Sequence, residues 1–370
     1  MQRKCSSFRS DYVPKINEIR SVQTMKRINF YFLLLTGIVA LASCKDGNNS
    51  NPPDNQYIID GDTLKYPSSV DDLVEGIRQD PKNAQLYYER CQRLLSEKNF
   101  LLAYYDAVKC VELEPKNELY HYNLGVLALE NNEISEAQTA LKSAIQLKPG
   151  YSDAYLKLAR LQLIMKDYEA GKQTLKKLSE ESGELPEAYF VNGMIYKYTG
   201  DTASAIKSFR RAVYLDNDHY DSYMQLGLIF GNKKEKAGID YLNNALRLKE
   251  YSTEALYARG QLHQELASYK KAVEDYDKLL IINPEHAGAY YNIGKINFIV
   301  ERWEDAAYYF NQAVIADPEY TDAYYMRGLS HQAYGNISEA IQNYEACLSL
   351  DPGYSQAREM RDYLVKKGGK

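Results

Sequence analysis

Residues 287–318 read Ala-Gly-Ala-Tyr-Tyr-Asn-Ile-Gly-Lys-Ile-Asn-Phe-Ile-Val-Glu-Arg-Trp-Glu-Asp-Ala-Ala-Tyr-Tyr-Phe-Asn-Gln-Ala-Val-Ile-Ala-Asp-Pro. Ala306, Tyr309, Phe310, Ala313 and Val314 recur at helical spacing and form one apolar face. Small residues at Gly294 and Ala306 let two helices approach closely. Pro318 then ends the second helix, because proline cannot occupy a helix interior.

The stretch is one member of a series with a 34-residue period. A first small column holds Cys91, Gly125, Ala159, Gly193, Gly227, Gly260, Gly294 and Gly328. A second holds Ala103, Ala137, Gly171, Ala205, Gly238, Ala272, Ala306 and Ala340. A third holds Cys110, Ala144, Leu178, Ala212, Ala245, Leu279, Ala313 and Cys347. The register slips by one residue between Phe230 and Ala237. Pro115, Pro149, Pro284, Pro318 and Pro352 close units, whereas Gly183 and Asn217 stand at that point in the third and fourth.

Period 34 with this order of small, aromatic and proline positions resembles the tetratricopeptide repeat family. The resemblance covers residues 84–354. It implies an all-α fold, a right-handed superhelical solenoid of about eight helix-turn-helix (TPR) units. An array of this kind exposes an apolar face at each end unless it is capped. Residues 67–83 read as an amino-terminal capping helix, and the charged stretch 355–370 as a carboxy-terminal solvating helix.

The 370 residues carry a formal charge of −5. Residues 1–43 hold seven Lys or Arg and two Asp or Glu; removing that +5 leaves −10 on the rest. An acidic body repels phosphate backbones, so no nucleic-acid partner is expected.

The amino terminus reads as an address. Met25-Lys26-Arg27, the apolar run 30–43 and the small residues before Cys44 have the secretory-signal layout, so residues 25–43 are a signal peptide. Residues 1–24 match no signal-peptide region: they are an over-long start or an extended n-region. Leu41-Ala42-Ser43-Cys44 resembles the bacterial lipobox, which implies lipid attachment at Cys44 and anchoring at an outer membrane. Lys45-Asp46 faintly resembles the surface-export signal of Bacteroidota lipoproteins. Residues 44–66 are rich in Asn, Asp, Gly and Pro and form a flexible tether with a reach of roughly 25 Å.

No catalytic constellation is visible, and neither an enzyme activity, a small-molecule substrate, a cofactor nor a metal is expected. His263 and His331 occupy a register normally given to a packed aromatic. Acidic residues stand singly along helix faces, the pattern of solvated surface. Cys91 and Cys110 lie on facing helices of one unit. Two readings stand: buried small hydrophobes, or an intra-repeat disulfide permitted by export. Asp62-Thr63-Leu64 and Asp201-Thr202-Ala203 resemble an O-glycosylation sequon of Bacteroidota, which implies modification at Thr63 and Thr202.

One column carries the functional expectation. Tyr88, Tyr122, Leu156, Phe190, Met224, Tyr257, Tyr291 and Tyr325 occupy the register that, in the resembled family, faces the concave groove. The column is either partly buried against the next helix or a stripe for an extended peptide or partner helix. Asp153, Glu187, Asp221, Glu254 and Asp322 stand nearby, so a neutral, apolar or basic partner is expected rather than an acidic chain end. The resemblance implies a membrane-anchored adaptor or scaffold that organises other envelope proteins. A surface glycan-binding lipoprotein of SusD type is the alternative, weakened by the absence of inserts between repeats.

Overall fold

The computed structural model describes residues 66–368. The signal-peptide stretch, Cys44, Thr63 and most of the tether lie outside the described residues. Within them are 18 α-helices and no strand. Helix α1 (Asp71–Gln79) follows a short 3-10 turn, Ser68–Val70. Eight hairpins come next: α2 (Ala84–Ser96) with α3 (Phe100–Leu113), α4 (Glu118–Glu130) with α5 (Ile134–Leu147), α6 (Ser152–Ile164) with α7 (Tyr168–Ser182), and α8 (Pro186–Tyr198) with α9 (Thr202–Leu215). The remaining four are α10 (Tyr220–Asn232) with α11 (Ala237–Leu248), α12 (Thr253–Glu265) with α13 (Tyr269–Ile282), α14 (Ala287–Ile299) with α15 (Trp303–Ala316), and α16 (Thr321–Ala333) with α17 (Ile337–Leu350). Helix α18 (Ser355–Gly368) packs on α17, and contacts elsewhere run between helices near in sequence, the arrangement of a solenoid.

The small columns are where second-helix side chains dock. A β-carbon at Gly294 would lie 2.8 Å from the Phe310 ring, and one at Gly260 2.6 Å from Tyr276. Gly125 faces Leu141, Gly193 faces Phe209, Gly227 faces Leu242 and Gly328 faces Tyr344 in the same way. In the first unit the sizes are exchanged: Cys91 occupies the glycine position and Ala107, sixteen residues on, the large one, both buried. Cys91 and Cys110 are free, buried thiols, so the disulfide reading is not what the fold presents. Burial pushes Cys91 up to about 12, and Cys110 Sγ donates to the Ala84 carbonyl at 3.5 Å. Cys347 is likewise buried and free.

Each hairpin turns through one residue at positive φ: Lys98, Asn132, Lys166, Gly200, Lys234, Ala267, Glu301 and Gly335. In the fifth unit one residue is missing between that turn and the small column. Helix α11 is therefore 12 residues long against 14 for α13 and α15. Its backbone is drawn onto α10: a β-carbon at Gly238 would lie 3.0 Å from Gly231 N and 3.1 Å from Gly227 O. At the other irregularity, Gly183 closes α7 at φ +76° and Pro186 opens α8, where its missing N–H costs nothing.

Not every acidic residue is solvated. Asp106 and Asp275 are 1% and 3% exposed. Arg90 donates to Asp106 at 2.6 and 2.9 Å, and Arg259 to Asp275 at the same two distances. Arg327 reaches Asn343 in the equivalent place at 2.5 Å. Each arginine comes from a first helix and bonds a second-helix residue sixteen positions later. Arg259 and Arg327 also bond a residue sixteen positions earlier on the preceding unit, Asn243 at 2.7 Å and Asn311 at 2.5 Å. Arg90 has no preceding hairpin; its Nη2 instead donates to the Tyr66 hydroxyl at 3.0 Å, and its guanidinium lies 3.8 Å from that ring's centre. A guanidinium thus fills an inter-repeat slot in the first, sixth and eighth units, held by a buried carboxylate in the first two and by two amide oxygens in the eighth.

Candidate functional site

First helices of successive units touch at four junctions, α6 on α8, α10 on α12, α12 on α14 and α14 on α16, and the first helices together line one face of the array. The predicted aromatic column lies on these helices and divides in two. Phe190, Met224, Tyr291 and Tyr325 are buried, whereas Tyr88, Tyr122, Leu156 and Tyr257 are half-buried. The column is thus in part the wall of the face and in part its surface.

A second column packs on most members, buried and half-buried alike. Ring pairs join Tyr122 to Tyr151 at 5.0 Å, Phe190 to His219 at 5.4 Å, Tyr257 to His286 at 4.8 Å, Tyr291 to Tyr320 at 4.8 Å and Tyr325 to Tyr354 at 5.1 Å. In each pair the partner stands 29 residues later, just before or at the start of the next unit's first helix. Such rings attract beyond their shared area. His219 and His286 also cap those helices: their Nδ1 atoms accept from Ser222 N at 3.3 Å and Ala289 N at 3.0 Å. Burial lowers both histidines below the ordinary imidazole value, which keeps the neutral ring that such a bond requires. Sequence reasoning missed this column, although the recurrence of Tyr or His at a 29-residue offset was there to be read.

Between the aromatic members the face is ionic. Arg160 pairs with Glu187, whose other oxygen lies 3.2 Å from His219 Nε2. Lys197 donates to Gln225 Oε1 at 2.7 Å. Burial lowers both Arg160 and Lys197 and raises Glu254; Asp221 raises Glu254 further, while Lys249 and Lys197 oppose it. Asp322 accepts from the Tyr354 hydroxyl at 2.9 Å, and Asp153 is exposed. The five carboxylates expected here are therefore unequal: Glu187 and Asp322 are already engaged, while Asp221 and Asp153 face water.

The remaining histidines are tied locally. His121 Nε2 lies 2.9 Å from the Pro115 carbonyl, the Tyr334 hydroxyl lies 2.7 Å from His331 Nδ1, and His263 is buried. No grouping of His, Cys, Asp and Glu with metal-binding geometry occurs among the described residues. Thr202 is exposed at the start of α9, and Asp201 before it caps that helix by accepting from Ser204 N at 3.0 Å.

Four family models, each described as a tetratricopeptide repeat, match residues 128–189, 186–219, 257–321 and 321–354. Anaphase-promoting complex subunit 3 of Schizosaccharomyces pombe is 27% identical over 165 residues, 44% of this chain and 25% of that protein. BBSome complex member BBS4 of Bos taurus is 29% identical over 141 residues, 38% of this chain and 27% of that protein. The chain thus spans about a quarter of either relative's length. Among solved structures, the C-terminal part of a TPR repeat-containing protein from Cytophaga hutchinsonii matches with a TM-score of 0.57 at 18% identity, over 65% of this chain and 98% of that one. This is a likeness of fold.

Proposed function

Because the chain belongs to the tetratricopeptide repeat family, we propose that it is a membrane-anchored adaptor: the face of its first helices holds a segment of another envelope protein, and the chain itself catalyses nothing. The observation that carries this reading is the make-up of that face. Half-buried Tyr88, Tyr122 and Tyr257 pack on the core with part of each ring and leave the rest exposed, beside a row of ionic side chains. Tyrosine gives a large, rigid contact at low entropic cost, which suits an extended peptide or a docked helix. Exposed Asp153 and Asp221 favour a neutral or basic segment over an acidic one. Lipidation at Cys44 would hold this body at the outer membrane, with residues 44–66 as the tether.

Both halves of the proposal are testable together. Cys44→Ser should move the chain from the membrane to the soluble fraction and abolish acyl labelling. Affinity capture from detergent-solubilised envelopes, using the parent chain, should recover a partner that is lost with Tyr88→Ala plus Tyr122→Ala. Equal membrane recovery of Cys44→Ser overturns the anchor; undiminished capture by the tyrosine variant overturns the groove.

A further inference from the structure

The inter-repeat slot that arginine fills in the first, sixth and eighth units is built differently in the third. There Leu158 stands where the arginines stand, with Lys142 sixteen residues before it and Thr174 sixteen after. Leu124, Leu226 and Ile293 take the same position in the second, fifth and seventh units; at the third a cleft of about 370 Å³ lies between α5, α6 and α7. Leu158 and Ile145 form apolar wall, and Lys142 and Lys177 line the cleft with exposed side chains. At its base Gln162, only 3% exposed, takes a register that holds Tyr196 and Phe230 in the next two units. Its Oε1 accepts from Thr174 Oγ1 at 2.8 Å, and its amide nitrogen, which no protein acceptor takes up, stays open to solvent.

The polarity of the slot is therefore inverted. In the arginine-filled units the walls are acceptors, Asp106, Asp275, Asn243, Asn311 and Asn343, and the chain supplies its own donor. In the third unit the walls offer donors: two ammonium groups and one amide N–H₂. We propose that this slot binds a carboxylate carried on a short aliphatic stem, the acid toward Gln162, Lys142 and Lys177 and the methylenes against Leu158 and Ile145. The charges that oppose it are Glu180 and Glu181, which act on Tyr155 at the cleft wall; Glu180 has Lys176 within 3.9 Å. The site is separate from the face of the first helices and does not depend on the groove reading.

The full chain in detergent, labelled at isoleucine methyl groups, tests it through the Ile145 signal. Acetyl-Gly-Glu-Gly-amide should shift that signal saturably, and acetyl-Gly-Gln-Gly-amide should bind at least about tenfold more weakly, since a charge-assisted bond is replaced by a neutral one. Lys142→Gln with Lys177→Gln alters only exposed side chains; it should leave helicity unchanged and weaken the glutamyl peptide by about tenfold or more. Gln162→Leu should weaken it too, with the apolar wall kept. Glutarate in place of the peptide tells whether a free small acid is held as well as a side chain; saturation by either supports the site. Equal shifts from the two peptides, a response that does not saturate, or full affinity in the double lysine variant overturns the proposal.

Discussion

At six hairpin turns a residue with a β-carbon holds φ between 55° and 63°. L-residues pay roughly 1–2 kcal/mol for that region, more than the 0.5–1 kcal/mol that glycine's extra freedom costs in the unfolded chain. Ala267, at φ 55° and exposed, gives up no packing when its methyl is removed. Ala267→Gly should therefore raise the unfolding free energy by about 0.5–1 kcal/mol in urea titration; a loss of stability would show that the turn is relaxed as it stands. His286 offers the opposite kind of test. Burial holds its folded-state pKa below 6.5, so the unfolded chain takes up the proton first as pH falls. Stability from this group is complete above about pH 6.5 and declines below it. His286→Asn keeps an N-cap acceptor without the titration. The variant should lose less stability than the parent between pH 7.5 and 5.5, measured by denaturant midpoints, and an identical slope would exclude His286 as a contributor.

At the scale of the element, the first helices do two jobs with one register. The sequence made the helices, their boundaries and their small columns legible, because glycine, proline and a 34-residue period act locally. It left open which members of the aromatic column would be covered, since that is set by all the side chains that neighbouring helices pack on each of them. Tyr291 is roofed by Tyr320 and buried, whereas Tyr122 and Tyr257, each with a ring 29 residues later, stay half-buried, and Tyr88 packs on Tyr120 at 5.5 Å instead. The arginine slots were hidden for the same reason. A lone Asp106 reads as surface until Arg90, sixteen residues earlier, is placed over it. The division has a measurable consequence. Tyr291→Ala removes a packed ring and should cost about 3–5 kcal/mol, seen as a lower melting temperature whether or not a partner is present. Tyr88→Ala with Tyr122→Ala should change the melting temperature less and weaken the captured partner by more than about tenfold, the loss of a central anchor. The assignment fails if the two sets of variants behave alike.

For the whole molecule, contacts between near neighbours make stability a chain of local terms. Gly294→Leu sets a branched side chain where even a β-carbon would lie 2.8 Å from Phe310, and should cost about 1–3 kcal/mol or more. Hydrogen exchange should rise first in α14, α15 and the adjoining hairpins, with the first unit unchanged; uniform loss of protection would mean the array melts as one body. The amino-terminal end of that chain is fastened in a particular way. Tyr66 lies under the Arg90 guanidinium, accepts a bond from it, and donates to Asp106 Oδ1 at 3.4 Å. A pull on the polypeptide ahead of Tyr66 is then delivered sideways into the junction of α2 and α3, and does not begin by peeling α1 from the end of the stack. While that clasp holds, the capping helix carries little of the load, and mechanical failure begins at a stacked ring and an ion pair.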